Sequence, residues 1–252
     1  MDGPTTGVAV FACLFSSAVA GLIAHARLPA KLLTRRATTA IRRSVWIVAM
    51  MAALMLALLT VQLKTHFDSA SRDVRNFSSQ IVALDRTLRQ LGPEADPARS
   101  LLFRYSARIM KDVWPQTHPK LGPADTHATK LFGELERAIG DLESPDARMR
   151  DLEVAAMAQL HEIARARWNL GDRDATQLSP WLVSFLVLWL MLTFGSLSLS
   201  APRSPLVMGA LFLCALALSS EVFLTVEFAD PYVGLIIVSS EPVQNALFAL
   251  SE

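Results

Sequence analysis

Apolar and polar residues from Val45 to Leu91 follow one repeating pattern. The stretch contains no Gly or Pro, and no charged residue occurs in it before Lys64. Apolar residues, with one Thr among them, recur at alternating steps of three and four, which is the a and d spacing of a heptad. We call these positions the seam: Trp46, Ala49, Ala53, Leu56, Thr60, Leu63, Phe67, Ala70, Val74, Phe77, Ile81, Leu84, Leu88 and Leu91. The pattern predicts one continuous helix of about 70 Å, well over the roughly 30 Å hydrocarbon core of a bilayer.

The seam requires a surface that covers it, both inside the membrane and outside it. One interpretation places the same helix of a neighbouring subunit there, around a symmetry axis. The other uses the chain's own helices between Leu101 and Ile163, whose apolar residues recur at helical spacing. Charged residues lie off the seam, and Asp85 with Arg89 has the favourable i, i+4 spacing of a surface pair.

Four stretches of about 20 residues are apolar enough to cross a bilayer. They are residues 7–26, 44–63, 180–200 and 205–227, and the second continues as a helix to residue 91. A basic loop covers residues 27–43, a helical extramembrane region residues 64–178, and a C-terminal segment with a short amphipathic helix residues 228–252. The expected fold class is therefore an all-α integral membrane protein with four transmembrane helices, an inserted helical region and a long continuous second helix.

The first span could be a membrane helix or a cleaved signal peptide. Ala18-Val19-Ala20 resembles a cleavage site, but no basic residue precedes the apolar stretch, so we expect the span to be retained. A ridge of small residues along it predicts close approach of another helix. The ridge consists of Ala12, Ser16, Ala20 and Ala24.

Basic residues are concentrated between the first two spans. The loop contains Arg27, Lys31, Arg35, Arg36, Arg42 and Arg43, and no acidic residue. The positive-inside rule places this loop in the cytoplasm and residues 64–178 outside it, in a bacterial inner (plasma) membrane. Contact of the loop with lipid head groups in another topology is the alternative.

Bulk charge and motifs argue against an enzyme and against nucleic acid as a partner. Residues 64–178 carry equal numbers of basic and acidic side chains. His161-Glu162 begins like a zinc-protease motif, but Arg165 occupies the position of the second His, and neither His118 nor His127 has ligand partners nearby in the sequence. No phosphate-binding or nucleophile motif is present. We expect no metal and no cofactor.

Polar residues at the membrane are the remaining candidates for function. Glu221 lies in the fourth span, where a carboxylate is costly unless it contacts water, protein or head groups. The alternative is that Glu221, Glu227 and Asp230 form an acidic end at the interface. His25 ends the first span and could likewise contact the interface or a conduction pathway.

The chain resembles the bestrophin-like family of uncharacterised prokaryotic and plant membrane proteins. The resemblance rests on the span order, on Tyr105 with Asp112-Val113-Trp114-Pro115, and on the run from Glu227 to Gly234 that contains Asp230-Pro231-Tyr232. It implies an oligomer, by analogy a pentamer, with the second helix around an anion-conducting axis. The axis residues would be Ala49, Ala53, Leu56, Thr60, Leu63 and Phe67. Bestrophins place their helical extension in the cytoplasm, opposite to the side that the basic loop predicts.

Two functions therefore stand. The first is an oligomeric anion (chloride) channel with a narrow apolar constriction that gates by dewetting. The second is a non-conducting scaffold or sensor in the bilayer that binds a protein partner through its helical region, and the absence of charge along the second span favours it. In both, the C-terminal helix should be docked, because Val243, Ala246, Leu247 and Leu250 form an apolar face.

Overall fold

The computed structural model describes residues 3–27, 35–114, 126–142, 146–171, 180–199, 204–232 and 234–251. These residues form α-helices and one 3₁₀ turn, and none of them lies in a β-strand. The helices are α1 (Gly3–Arg27), α2 (Arg35–Leu91), α3 (Asp96–Val113), α4 (Thr126–Gly140), α5 (Ala147–Gly171), α6 (Pro180–Leu199), α7 (Pro205–Glu227) and α8 (Glu241–Ser251). The expected all-α fold is confirmed.

The chain forms two compact units, each made from two separate stretches of sequence. We call residues 1–66 and 176–230 the membrane unit, and residues 67–175 and 231–252 the helical unit. Helix α2 contributes to both, because no Gly or Pro interrupts it. The C-terminal residues belong to the helical unit rather than to the neighbouring span.

Three of the described helices are long and apolar enough to cross a membrane. The spans are Pro4–His25, a part of Arg42–Leu91, and Pro205–Glu227. Within α6 the described apolar stretch Val183–Leu199 is shorter. The chain is therefore an integral membrane protein, and the fourth span remains a prediction.

Helix α2 begins earlier than the sequence indicated. Arg35, Arg36, Arg42 and Arg43 lie on the helix and not in a loop, while residues 28–34, including Lys31, lie outside the described part of the chain. No Gly or Pro interrupts the stretch from Arg35 to Val45, and Arg and Ala are good helix formers. The basic connection is thus mostly the first turns of α2.

Helices α1 and α6 pack through small residues at very close range. The Ser17 hydroxyl donates to the Met191 carbonyl at 2.6 Å. A Cβ at Gly21 would lie 2.4 Å from the Gly195 carbonyl oxygen, so only Gly fits there. Contacts offset by a constant 174 residues show that the two helices run parallel.

The predicted ridge of small residues on α1 is not the face that meets α6. Within the single chain Ala12, Ser16 and Ala20 are exposed and Ala24 is half-buried, whereas the neighbouring ridge of Ser17 and Gly21 meets α6. Gly permits a closer backbone approach than Ala, and Ser17 adds a hydrogen bond, which decides between two adjacent stripes of small residues.

In the helical unit, the seam of α2 lies in one core with α3, α4, α5 and α8. Val74, Phe77 and Ile81 have no exposed surface in a single chain, and neither have Leu84 and Leu88. The chain's own helices therefore cover the seam from Ala70 to Leu91. For this part of the seam, the interpretation with a neighbouring subunit is wrong.

Two local features complete this core. Gly92, with φ of 92°, ends α2 in a conformation that favours glycine, and it accepts a hydrogen bond from Ala95 N at 3.1 Å. Helix α8 is docked as predicted, because Val243, Ala246 and Leu250 are buried in the same core.

Candidate functional site

The six residues predicted to surround an axis do not share one exposed face. Leu56 and Leu63 are buried, Ala49 and Thr60 are half-buried, and only Ala53 is exposed, while Phe67 packs on the core of the helical unit. The buried position nearest Ala53 is Ala52. In a straight helix, positions seven residues apart are rotated by about 20° around the helix axis. Seam positions nearer Trp46 therefore rotate progressively away from the face that is buried further along α2. Leu56 and Leu63 are thus not available to an axis.

A different face of α2 is open. In the most apolar window of this span only 11% of the residues are buried within the chain. Ala49, Ala53 and Ala57 follow each other at i, i+4 spacing, and Ala53 and Ala57 are exposed. We call these three residues the alanine ridge. Exposed Met50 and Leu54 flank it.

A polar cluster joins α2 to α7 inside the membrane unit. The Thr60 hydroxyl donates to Oε1 of Glu221 at 3.0 Å, and it also lies 3.0 Å from the Leu56 carbonyl oxygen. The Thr225 hydroxyl is 3.3 Å from Thr60 Oγ1 and is buried. Glu221 itself is half-buried. The carboxylate therefore has a protein partner within the span, which the sequence could not specify.

The other polar membrane residues occupy different positions. His25 donates from Nδ1 to the Leu199 carbonyl oxygen at 2.7 Å, so it caps the end of α6. Glu227 is buried as the last residue of α7, and Asp230 is exposed. Among the described residues, which do not include His118, no three His, Cys, Asp or Glu side chains are grouped to hold a metal.

In the helical unit, two motifs that are far apart in sequence meet. The Trp114 indole donates to the Val238 carbonyl at 2.8 Å, and its ring contacts Tyr232 edge to face with centroids 5.7 Å apart. The Val238 amide in turn donates to the Pro231 carbonyl at 2.8 Å. We call Trp114, Pro231, Tyr232 and Val238 the motif junction. The resemblance named both motifs but gave no sign that they touch.

A buried carboxylate ties three helices of this unit together. Asp85 accepts from Nε of Arg89 at 2.7 Å and from Nε of Arg99 on α3 at 2.9 Å. The hydrogen bond with Asp85 raises the pKa of Arg99 above its usual value. Arg89 also donates to the Ala249 carbonyl of α8 at 2.8 Å. Asp85 is thus not the surface residue that its i, i+4 spacing suggested.

Tyr105, which the resemblance singled out, is a core residue. Its side chain is fully buried, and the Arg167 guanidinium lies 5.8 Å from the ring centroid. Burial raises the pKa of the phenol, and the Arg167 charge partly opposes that shift. Its position indicates a structural role in the helical unit.

The chain is an all-α integral membrane protein. It has long apolar helices with buried contacts between small residues, and it has a separately packed helical unit. Within that class, residues 11–243 match the family model of the bestrophin-like domain. The chain belongs to the bestrophin-like family. No curated protein and no solved structure shows a significant match to it.

Proposed function

We propose that the protein is a non-enzymatic homo-oligomer that conducts anions, with the alanine ridge of α2 at the contact between subunits. The observation that carries this proposal is the open face of α2, where Ala53 and Ala57 lie exposed at the spacing that allows two helices to approach closely. Membership of the bestrophin-like family supports it.

Helix α2 itself contributes no charged side chain along its apolar span, from Val45 to Leu63. Glu221 belongs to α7, and its hydrogen bond to Thr60 places its carboxylate one turn beyond Ala57, at the end of the ridge. The ridge and its flanks are apolar, which suits a constriction that controls conduction by dewetting.

Cysteine cross-linking tests the contact between subunits. The two cysteines of the chain, Cys13 and Cys214, are first replaced by Ser. Oxidation of Ala53→Cys or Ala57→Cys in membranes should then yield cross-linked dimers and higher oligomers, because equivalent residues approach each other across a symmetry axis. Leu213→Cys is the matched control, since Leu213 is 64% exposed on α7. A monomer in mild detergent, without cross-links at either alanine, would contradict the proposal.

Conduction is tested with purified protein in planar bilayers. We expect anion-selective current steps, and we expect a negatively charged thiol reagent to reduce the current of Ala53→Cys at least severalfold but not that of Leu213→Cys, because charge placed at an apolar constriction repels anions. The absence of current at all voltages and pH values tested would exclude a channel.

We also place the helical unit outside the cytoplasm of a bacterial cell, on the basic residues at the start of α2. The family analogy favours the opposite side. A phosphatase fused after Leu91 should be active if the helical unit lies outside the cytoplasm. Activity confined to a fusion near Arg35 would reverse the topology.

The scaffold or sensor remains a second candidate because of one surface on α5. Val154 is 72% exposed and Trp168 is 80% exposed, and their spacing puts them on similar sides of the helix. An exposed Trp is a common anchor for a protein partner. Two results together would support this function. The purified protein would conduct no current in planar bilayers, and a protein that co-purifies with the wild type would be lost from Trp168→Ala.

A further inference from the structure

An apolar groove of about 720 Å³ lies between α1 and α7 in the membrane unit. Its apolar side chains come from Phe15, Val19, Leu22, Ile23, Met208 and Phe212. Phe15 and Phe212 contact edge to face at the inner end, with ring centroids 5.8 Å apart. The volume is that of a site for a small organic molecule rather than for one side chain.

The groove runs along the helices, which are antiparallel. Gly7 packs beside Phe223, whereas Ile23 shares the groove with Ser204 at the opposite end of α7. From Phe15 to Ile23 the groove extends about 12 Å along α1. Ser204 is the polar residue of its lining, and its hydroxyl already accepts from Val207 N at 3.2 Å. The shape is therefore long, narrow and apolar.

One basic residue and the positive end of one helix dipole lie at the Ser204 end of the groove. Arg27 is exposed one turn beyond Ile23, and the positive end of the α7 dipole lies at Ser204. No acidic residue occurs from Gly3 to Phe67. A ligand here would thus combine an apolar tail with an anionic head.

We propose that this groove binds one acyl chain of an anionic phospholipid, with the lipid phosphate at Arg27. Both bordering helices are membrane spans, so acyl chains rather than water meet the groove. A second copy of this chain has the same orientation in the membrane and would bring a basic end against a basic end, which disfavours it as the occupant. The proposal is independent of whether the protein conducts ions.

Filling the groove tests the site for the acyl chain. A Cβ at Gly209, between Met208 and Phe212, would have no neighbour within 4 Å, so a large side chain can be added there. Delipidated protein is incubated with phosphatidylglycerol or phosphatidylcholine and examined by native mass spectrometry. We expect Gly209→Trp to bind phosphatidylglycerol about tenfold more weakly, because the added side chain replaces the apolar surface that the lipid would bury. Ala210→Trp, at an exposed position on the same helix, should bind like the wild type.

Arg27→Gln tests the head group separately. This variant should lose the preference for phosphatidylglycerol over phosphatidylcholine while it still binds an acyl chain. Equal binding of phosphatidylglycerol by wild type and Gly209→Trp would overturn the proposal, as would equal binding of the two lipids by wild type. A change in oligomeric state with unchanged lipid binding would instead assign the groove to a second copy. If Gly209→Trp does not fold, Gly209→Leu takes its place, with Ala210→Leu as control.

Discussion

Replacing Trp114 with Ala is expected to lower the free energy of unfolding of the helical unit by about 3 to 4 kcal/mol. The change removes a buried indole from the motif junction, together with its edge contact to Tyr232 and its hydrogen bond to the Val238 carbonyl. Thermal unfolding in detergent, followed by circular dichroism, measures the effect. Trp114→Phe keeps most of the apolar contact and should cost about 1 to 2 kcal/mol, mainly for the lost hydrogen bond.

Trp168→Ala is the matched control for this experiment. It removes the same side chain from the same unit, but at a position that is 80% exposed. Its unfolding temperature should remain within the error of the wild type. If Trp114→Ala and Trp168→Ala melt alike, the junction does not stabilise the unit.

Asp85→Asn is expected to lower the stability of the same unit by about 2 to 3 kcal/mol, because two arginines lose their buried carboxylate. Arg89 and Arg99 are partly exposed, which keeps the effect below that of a fully buried ion pair. The unfolding temperature should fall by roughly 5 to 10 °C.

Asp68→Asn provides the control for charge removal, since Asp68 is exposed on the same helix. We expect no measurable shift for it. Added salt should change the difference in unfolding temperature between Asp85→Asn and Asp68→Asn only a little. Salt screens the buried ion pairs of Asp85 weakly. Equal melting of Asp85→Asn and wild type would mean that the carboxylate adds nothing to stability.

The sequence predicted which face of α2 is buried in the helical unit, but not what covers it. A heptad pattern specifies an apolar stripe but not the helices that cover it. Phe77 and Leu84 are expected at these positions both when another subunit covers the stripe and when the chain's own helices do. The covering helices were visible as separate amphipathic segments. Their assignment to the seam required three-dimensional packing.

Polar contacts between distant segments were the least predictable features. Asp85 had a local partner in Arg89, yet its burial depends on Arg99 from the next helix. Similarly, Glu221 and Thr60 were each visible as polar residues in apolar spans, but nothing in the sequence paired them. Local spacing describes one helix face, whereas these contacts join two.

The parallel contact of α1 with α6 has a consequence for the order of synthesis. Ser17 precedes its partner Met191 by 174 residues. At roughly 5 to 20 residues per second, α1 waits about 9 to 35 s for α6 to be translated. During that interval the Ser17 and Gly21 face has no α6 to pack against. A chain released before Gly195 would present this face to other membrane helices and to the proteases that remove unassembled proteins.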